Sequence, residues 1–416
     1  MKRLLFSFCV FCLLSFNLQA ANTNQTVILI GIDGLSYDAI ERWNMKHLKQ
    51  LADEGARAES LIPVFPSKTF PNFYAMATGL YPEGNGVVAN NTYDKELDRL
   101  FRQKDGGDPN FFQGDPIWNV LERQGFVTAS MFWVGSEASV NDELPTYWYK
   151  YDHYKPNMER VEQVLDWIDK ETASPTFISL YFSILDSAQH GHGIDSKQAL
   201  EAATEADSLV GALIDGLKQR KVYEDTAFVI VGDHGMADLS EHQIIYIDDV
   251  IGDAMKLERS DPNHIFSPQL YSEESGNQIF SYLFLGENVD SDKLINQLKN
   301  LSDHWQVYDK TNLPDNAHLA HPTRQPDIVI MPEPGWLISQ RHIPFDPTYV
   351  ASHGYDPKNK IMHATLLVKG KGIDPQSKWP SIENVNVHCI IAKLMDAKPA
   401  EKNDCDQSLL NGLMRP

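Results

Sequence analysis

Residues 226–235 read TAFVIVGDHG: six uncharged, mostly apolar residues, then glycine, aspartate, histidine and glycine. An apolar run of this length, closed by glycine, is the pattern of a strand buried on both faces. Such strands occur where helices cover both sides of a parallel sheet. The polar pair Asp233 and His234 follows at the strand's carboxyl end, where open α/β sheets gather their ligands. Just upstream, Leu200, Ala203, Ala206, Leu209, Val210, Leu213 and Leu217 recur at helical spacing across Lys197–Arg220. Before that helix, TFISLYF (Thr176–Phe182) repeats the buried-strand pattern and leads to Asp186. Near the start, TVILIGI (Thr26–Ile32) ends in Asp33, and Glu41–Glu54 reads as a helix stopped by Gly55. Asp327–Met331 and Ala364–Val368 are later strand candidates. Strands alternating with helices predict an α/β fold, with a central mainly parallel sheet flanked by helices.

Residues 81–156 break the alternation. They are rich in aromatics, Asn, Asp and Gly, and read as an irregular insertion lobe on one compact domain. The 416 residues carry 36 Lys+Arg against 57 Asp+Glu, a formal charge of −21. A chain this acidic has no basic field to hold a nucleic-acid polymer or an anionic membrane. A bound cation would still attract a small anionic substrate.

The first twenty residues read as a secretory signal. Lys2 and Arg3 precede the apolar run Leu4–Phe16, and Leu18-Gln19-Ala20 is a small-residue cleavage pattern. The run is too short to span a bilayer. The expectation is a mature domain of residues 21–416, without a membrane span, in the periplasm or outside the cell. Cys9 and Cys12 leave with the signal. Cys389 and Cys405 remain, as one disulfide or as two free buried thiols.

Three predicted strands thus end near three carboxylates: Asp33, Asp186 and Asp233. Any one alone reads as a helix cap or turn residue. Together they suggest a centre. Asp186 and His190 are spaced i, i+4, so a helix after the strand would put both on one face; His192 would not share it. His353 lies in Ser352-His353-Gly354, where glycine permits close approach of the backbone. Mixed His and carboxylate donors suit zinc, with manganese or iron as alternatives. The candidate nucleophile is Thr69, in PSKTFPN (Pro66–Asn72), just before a helix start at Phe73. A helix N-terminus favours an anion. A free threonine hydroxyl is a poor nucleophile and needs a metal to lower its pKa.

Six blocks occur in order along the chain: GIDG (31–34), PSKTFPN (66–72), TGLYPEGNGVVANNTYD (78–94), LDSAQHGHG (185–193), GDHGM (232–236) and SHGYD (352–356). As an ordered set they resemble the nucleotide pyrophosphatase/phosphodiesterase family of the alkaline phosphatase superfamily. The resemblance implies an alkaline-phosphatase-like fold and two zinc ions, one on Asp33, Thr69, Asp233 and His234, the other on Asp186, His190 and His353. It implies an exported hydrolase that cleaves phosphodiester or pyrophosphate bonds of small substrates, nucleotides first, through a phosphothreonyl intermediate. Asn90 matches the residue that hydrogen-bonds the phosphate. Phe70 matches one wall of an aromatic slot, and Tyr151 resembles the other. Lys68 either touches phosphate oxygens or is a solvated surface lysine. Ser183-Ile184-Leu185 departs from the family's acidic-proline approach to the metal-binding aspartate. Related branches cleave choline or glycerol phospholipids. A phosphomonoesterase would need a further cationic group, and a non-catalytic metal-binding protein is disfavoured by the complete ligand set.

Overall fold

The computed structural model describes residues 25–256, 258–270 and 277–415. The expected signal, with Cys9 and Cys12, lies outside the described residues. An eight-stranded sheet forms the centre. Its strands in chain order are β1 (Thr26–Ile32), β2 (Ala56–Ala58), β3 (Thr128–Met131), β4 (Tyr147–Trp148), β5 (Phe177–Phe182), β6 (Thr226–Val231), β7 (Leu366–Lys369) and β8 (Ser377–Trp379). In space they run β8-β2-β7-β6-β1-β5-β3-β4. Seven strands point one way, and β7 runs against both of its neighbours. The apolar runs occupy the centre as their composition demands: every residue of β5 and β6 is buried.

Among the helices are α1 (Lys46–Glu54), α2 (Thr69–Thr78), α3 (Asn157–Ile168), α4 (Ile184–His192), α5 (Lys197–Gln219) and α6 (Asn386–Leu394). The helix expected over Glu41–Glu54 is broken. Ala39–Arg42 makes a single turn, Asn44 takes φ 49°, and α1 begins only at Lys46. Met45 offers no capping side chain there; Asp207 of α5 accepts from the His47 and Leu48 N–H groups at 3.0 Å instead. The cap therefore comes from a distant helix. Among the described residues no helix is long and apolar enough to cross a membrane.

Two strand candidates sit elsewhere than in the parallel set. The Asp327–Met331 run forms Ile328–Pro332 of a separate four-stranded antiparallel sheet, beside Ser281–Leu285 and Trp305–Asp309. That sheet has apolar clusters of its own, one around Leu283, Leu298 and Ile330, another around Phe284, Tyr282 and Val329. The Ala364–Val368 run supplies β7, the reversed strand. Apolar patterning reports burial but carries no strand direction. Within residues 81–156, the hairpin Thr92–Asp94/Arg99–Phe101 forms a sheet of its own, whereas β3 and β4 extend the edge of the central sheet and helix Ile117–Glu122 packs beside β3. Arg324, 1% exposed, ties this stretch to the second sheet: it pairs with Asp94 at 2.9 Å and donates to the carbonyls of Gly86, Asn110 and Phe111 at 2.6 Å. Cys389 on α6 is disulfide-bonded to Cys405.

Candidate active site

Strand register builds the first half of the site. β1 and β6 pair in parallel with Gly31 opposite Val231, so Asp33 and Asp233, each two residues on, emerge side by side. The chain must turn sharply there. Gly34 has φ +71°, gives its N–H to Asp233 Oδ1 at 3.0 Å, and would place a Cβ only 3.1 Å from Asp186 Cα. Any larger residue would strain this turn. His234 Nε2 lies 2.9 Å from Asp233 Oδ2 and 3.3 Å from Asp33 Oδ1. Thr69, the first residue of α2, places Oγ1 3.5 Å from the same nitrogen.

The second half follows β5. α4 starts within two residues of the strand and carries Asp186 and His190 on one face, with His190 Nε2 3.2 Å from Asp186 Oδ1. His353 Nε2, from the far side of the chain, stands 3.7 Å from that oxygen. His192 is exposed. The candidate ligand atoms thus fall into two groups, Asp33/Asp233/His234 and Asp186/His190/His353, each within 4.8 Å internally. The His234 and His353 rings stack at 3.4 Å and join the two groups.

The donor chemistry fits cations. Each histidine gives its Nδ1 to a backbone carbonyl: His190 to Ala351 (2.6 Å), His234 to Gly235 (3.0 Å), His353 to Ser67 (2.8 Å). A carbonyl only accepts, so Nδ1 carries the proton and Nε2 presents a lone pair. Facing these lone pairs are Asp33 Oδ1, Asp186 Oδ1 and Asp233 Oδ2, all buried and without a hydrogen-bond donor among the described residues. Acceptors aimed at acceptors inside a protein call for a cation between them or, without one, a proton on the carboxyl. Burial, then Asp233 and Asp186, pushes the Asp33 carboxyl well above its ordinary value, and burial pushes Asp233 up to about 8. Burial also holds His234 and, more strongly, His353 below the usual imidazole range. Burial would raise Asp186 too, but His190, His234 and Lys68 outweigh it and keep it low.

Side chains outside the predicted set hold the nucleophile. Asn72, fully buried, accepts from Val64 N–H and from Asn384 Nδ2 at 2.7 Å, and donates to the carbonyls of Pro66 (3.1 Å) and Lys68 (2.8 Å). Ser67 Oγ donates to Tyr355 O at 2.7 Å and accepts from Gly354 N–H at 3.1 Å, which locks the Thr69 loop to the His353 loop. Tyr181 donates to Asp33 Oδ2 at 2.5 Å. Asn72 and Ser67 lie inside the PSKTFPN block, but nothing local in the sequence marks their partners. Tyr181 is part of the TFISLYF run and reads there as core.

Asn90 Oδ1 accepts the Phe70 N–H at 2.9 Å, which leaves its Nδ2 as the group's donor beside the start of α2. Lys68 is half-buried; its stem runs against Gly354, where a Cβ would lie 2.6 Å from Cε, and burial brings its pKa to about 8. A cavity of about 490 Å³ opens from Asp33, Thr69 and Asp186. Phe70 and Tyr151 both line it. Tyr151 packs edge-on against Phe132 at 5.3 Å, and Phe70 stacks on Phe111 at 6.0 Å.

The family profile described as type I phosphodiesterase / nucleotide pyrophosphatase matches residues 27–356. The chain is 30% identical over 397 residues to venom phosphodiesterase 2 of Crotalus adamanteus, covering 94% of this chain and 48% of that protein. It therefore spans about half the length of the venom enzymes it matches. It is 30% identical over 374 residues to bis(5'-adenosyl)-triphosphatase enpp4 of Xenopus laevis, covering 89% of this chain and 78% of that protein. Among solved structures, murine ectonucleotide pyrophosphatase / phosphodiesterase 5 matches with a TM-score of 0.84 at 24% identity, over 94% of this chain and 100% of that one. An inactive form of that murine protein in complex with AMP matches at 23% identity with the same TM-score. At these identities the structural likeness speaks for the fold.

Proposed function

Because the chain belongs to the type I phosphodiesterase / nucleotide pyrophosphatase family, we propose that it is an exported, metal-dependent hydrolase that cleaves phosphodiester or pyrophosphate bonds of nucleotides. The observation that carries this reading is the position of Thr69 Oγ1, at a helix N-terminus and 3.5 Å from His234 Nε2, in one of two His/Asp groups that the stacked His234 and His353 rings join. The groups would hold two divalent cations, zinc by donor type: Asp33, Thr69, Asp233 and His234 for one, Asp186, His190 and His353 for the other. When bound, such cations polarise the phosphoryl group and lower the pKa of a coordinated hydroxyl.

The chain's own residues do the rest. Thr69 Oγ1 attacks phosphorus in line; the P–O bond to the leaving group breaks, and phosphothreonine forms as that group departs with a proton. Water then attacks the phosphothreonine, frees Thr69 and releases the nucleoside monophosphate. The Thr69 N–H and Asn90 Nδ2 donate to a non-bridging oxygen as its charge grows. Asn72 and Ser67 keep the loop in place, so little reorganisation is needed on attack. Phe70 and Tyr151 sandwich the base, in keeping with the AMP bound to the murine structural relative. Residues 21–416 act as one catalytic domain once the signal of residues 1–20 is removed. The Cys389–Cys405 disulfide supports an oxidising compartment, periplasmic or extracellular.

The test is a rate comparison on the zinc-loaded chain between a nucleotide aryl phosphodiester, the matching aryl phosphomonoester and an aryl phosphocholine. Strong preference for the nucleotide diester is expected. Preference for phosphocholine would move the substrate to lipids, and preference for the monoester would overturn the diester reading.

A further inference from the structure

One short segment grips His190 from three directions. The imidazole Nδ1–H donates to Ala351 O at 2.6 Å, and the His190 carbonyl accepts from Val350 N–H at 2.8 Å. The Tyr349 ring lies on the imidazole with 4.3 Å between centroids and 19° between planes. The Tyr349 hydroxyl stands 3.1 Å from His190 Nε2 and 3.5 Å from Ser352 Oγ. Since Nδ1 carries the ring proton, Nε2 accepts and the phenol donates. The segment is anchored in turn by buried Asn277, which donates to the carbonyls of Asp346 (3.1 Å) and Tyr349 (3.0 Å) and accepts from Asp346 N–H at 3.2 Å.

The Nε2 that the Tyr349 hydroxyl stands beside is also the one that faces Asp186 Oδ1 at 3.2 Å, and its lone pair is the one His190 has to offer a cation. With that lone pair engaged, stacking and the Asn277 anchor still hold the phenol at the edge of the site. Its O–H is then available to another oxygen on that side. Thr69 belongs to the opposite group, beside His234. An in-line displacement that starts at Thr69 expels its leaving oxygen away from Thr69, towards Asp186, His190 and His353. We propose that Tyr349 holds His190 by stacking and donates its hydroxyl hydrogen bond to the leaving-group oxygen of the substrate. The inference rests on the phosphodiester reading above. A donor of this kind strengthens as charge develops on the oxygen, so it matters most for leaving groups that stabilise charge poorly.

Wild type, Tyr349→Phe and Tyr349→Ala would be compared as zinc-loaded full chains on two nucleoside 5'-phosphodiesters, one leaving as nitrophenolate and one as a simple alkoxide. Zinc affinity would be read separately by competition with a chromogenic chelator. Tyr349→Phe should lose roughly 10–100-fold in kcat on the alkyl ester, stay within about threefold on the nitrophenyl ester, and bind zinc at least as tightly as wild type. Tyr349→Ala, without the stacked ring, should also bind zinc about tenfold or more weakly. Equal losses on both esters, or no loss on the alkyl ester, in Tyr349→Phe overturn the leaving-group contact. Wild-type zinc affinity in Tyr349→Ala overturns the grip on His190. A wild type that cleaves neither ester overturns the phosphodiester reading and the leaving-group contact with it, while the zinc comparison still decides the grip.

Discussion

Stripping the metal should make the protein less stable as pH rises from 6.5 to 8, the reverse of what carboxylates in salt bridges do. Asp33 and Asp233 have folded-state pKa values raised, by burial first and by neighbouring carboxylates, with Asp233 at about 8. The unfolded chain releases those protons near pH 4, so between that value and 8 the folded state binds more protons, and stability falls with increasing pH. His234 and His353 act in the opposite sense. Burial depresses them, so the folded state binds fewer protons than the unfolded one, and stability rises with pH through about 6.5, where unfolded histidine has lost half its charge, and levels off about one unit higher. Below 6.5 the two effects oppose each other. Above it the carboxyls dominate, at up to about 1.4 kcal/mol per pH unit for each, while the last of the histidine titration and Lys68, lowered by burial to about 8, oppose them, so the net loss by pH 8 is on the order of 2 kcal/mol. Zinc takes the place of those protons, so the loaded protein should gain stability over the same interval. Urea unfolding of chelated and loaded protein, at half-unit steps from pH 5 to 8.5, measures both slopes. Stability of the metal-free protein that is level or rising between 6.5 and 8 would refute the buried-carboxyl reasoning.

Thr69→Ala should lose several orders of magnitude in turnover while its zinc content, measured by atomic absorption, stays close to wild type. Asn72→Ala removes the clamp on residues 64–68 and leaves buried polar groups unpaired. It should cost about 2–4 kcal/mol in urea unfolding and lower kcat roughly 10–100-fold by letting Thr69 drift. Arg324→Met leaves Asp94 and three carbonyls without their guanidinium. A loss of about 3–5 kcal/mol is expected, with metal content unchanged, because the pair is buried and touches none of the ligand residues.

Much of the site was legible because it is built from strand ends. A strand buried on both faces must be apolar throughout, so the residue that ends it announces itself, as Asp33 and Asp233 do. The i, i+4 spacing by itself made Asp186 and His190 partners. Phe70, Asn90 and Thr69 were readable as ordered blocks, and Cys389 and Cys405 as a pair whose bonding stayed open. Tertiary structure alone decided the rest. It reversed β7, moved Ile328–Pro332 to a second sheet and capped α1 with Asp207. It also joined Ser67 to His353, Asn72 to Asn384 and Tyr349 to His190. A local apolar pattern records which faces a segment buries, because burial acts on each residue where it stands. A hydrogen bond between segments hundreds of residues apart leaves no such periodic mark, since either partner alone looks like any polar residue in a turn.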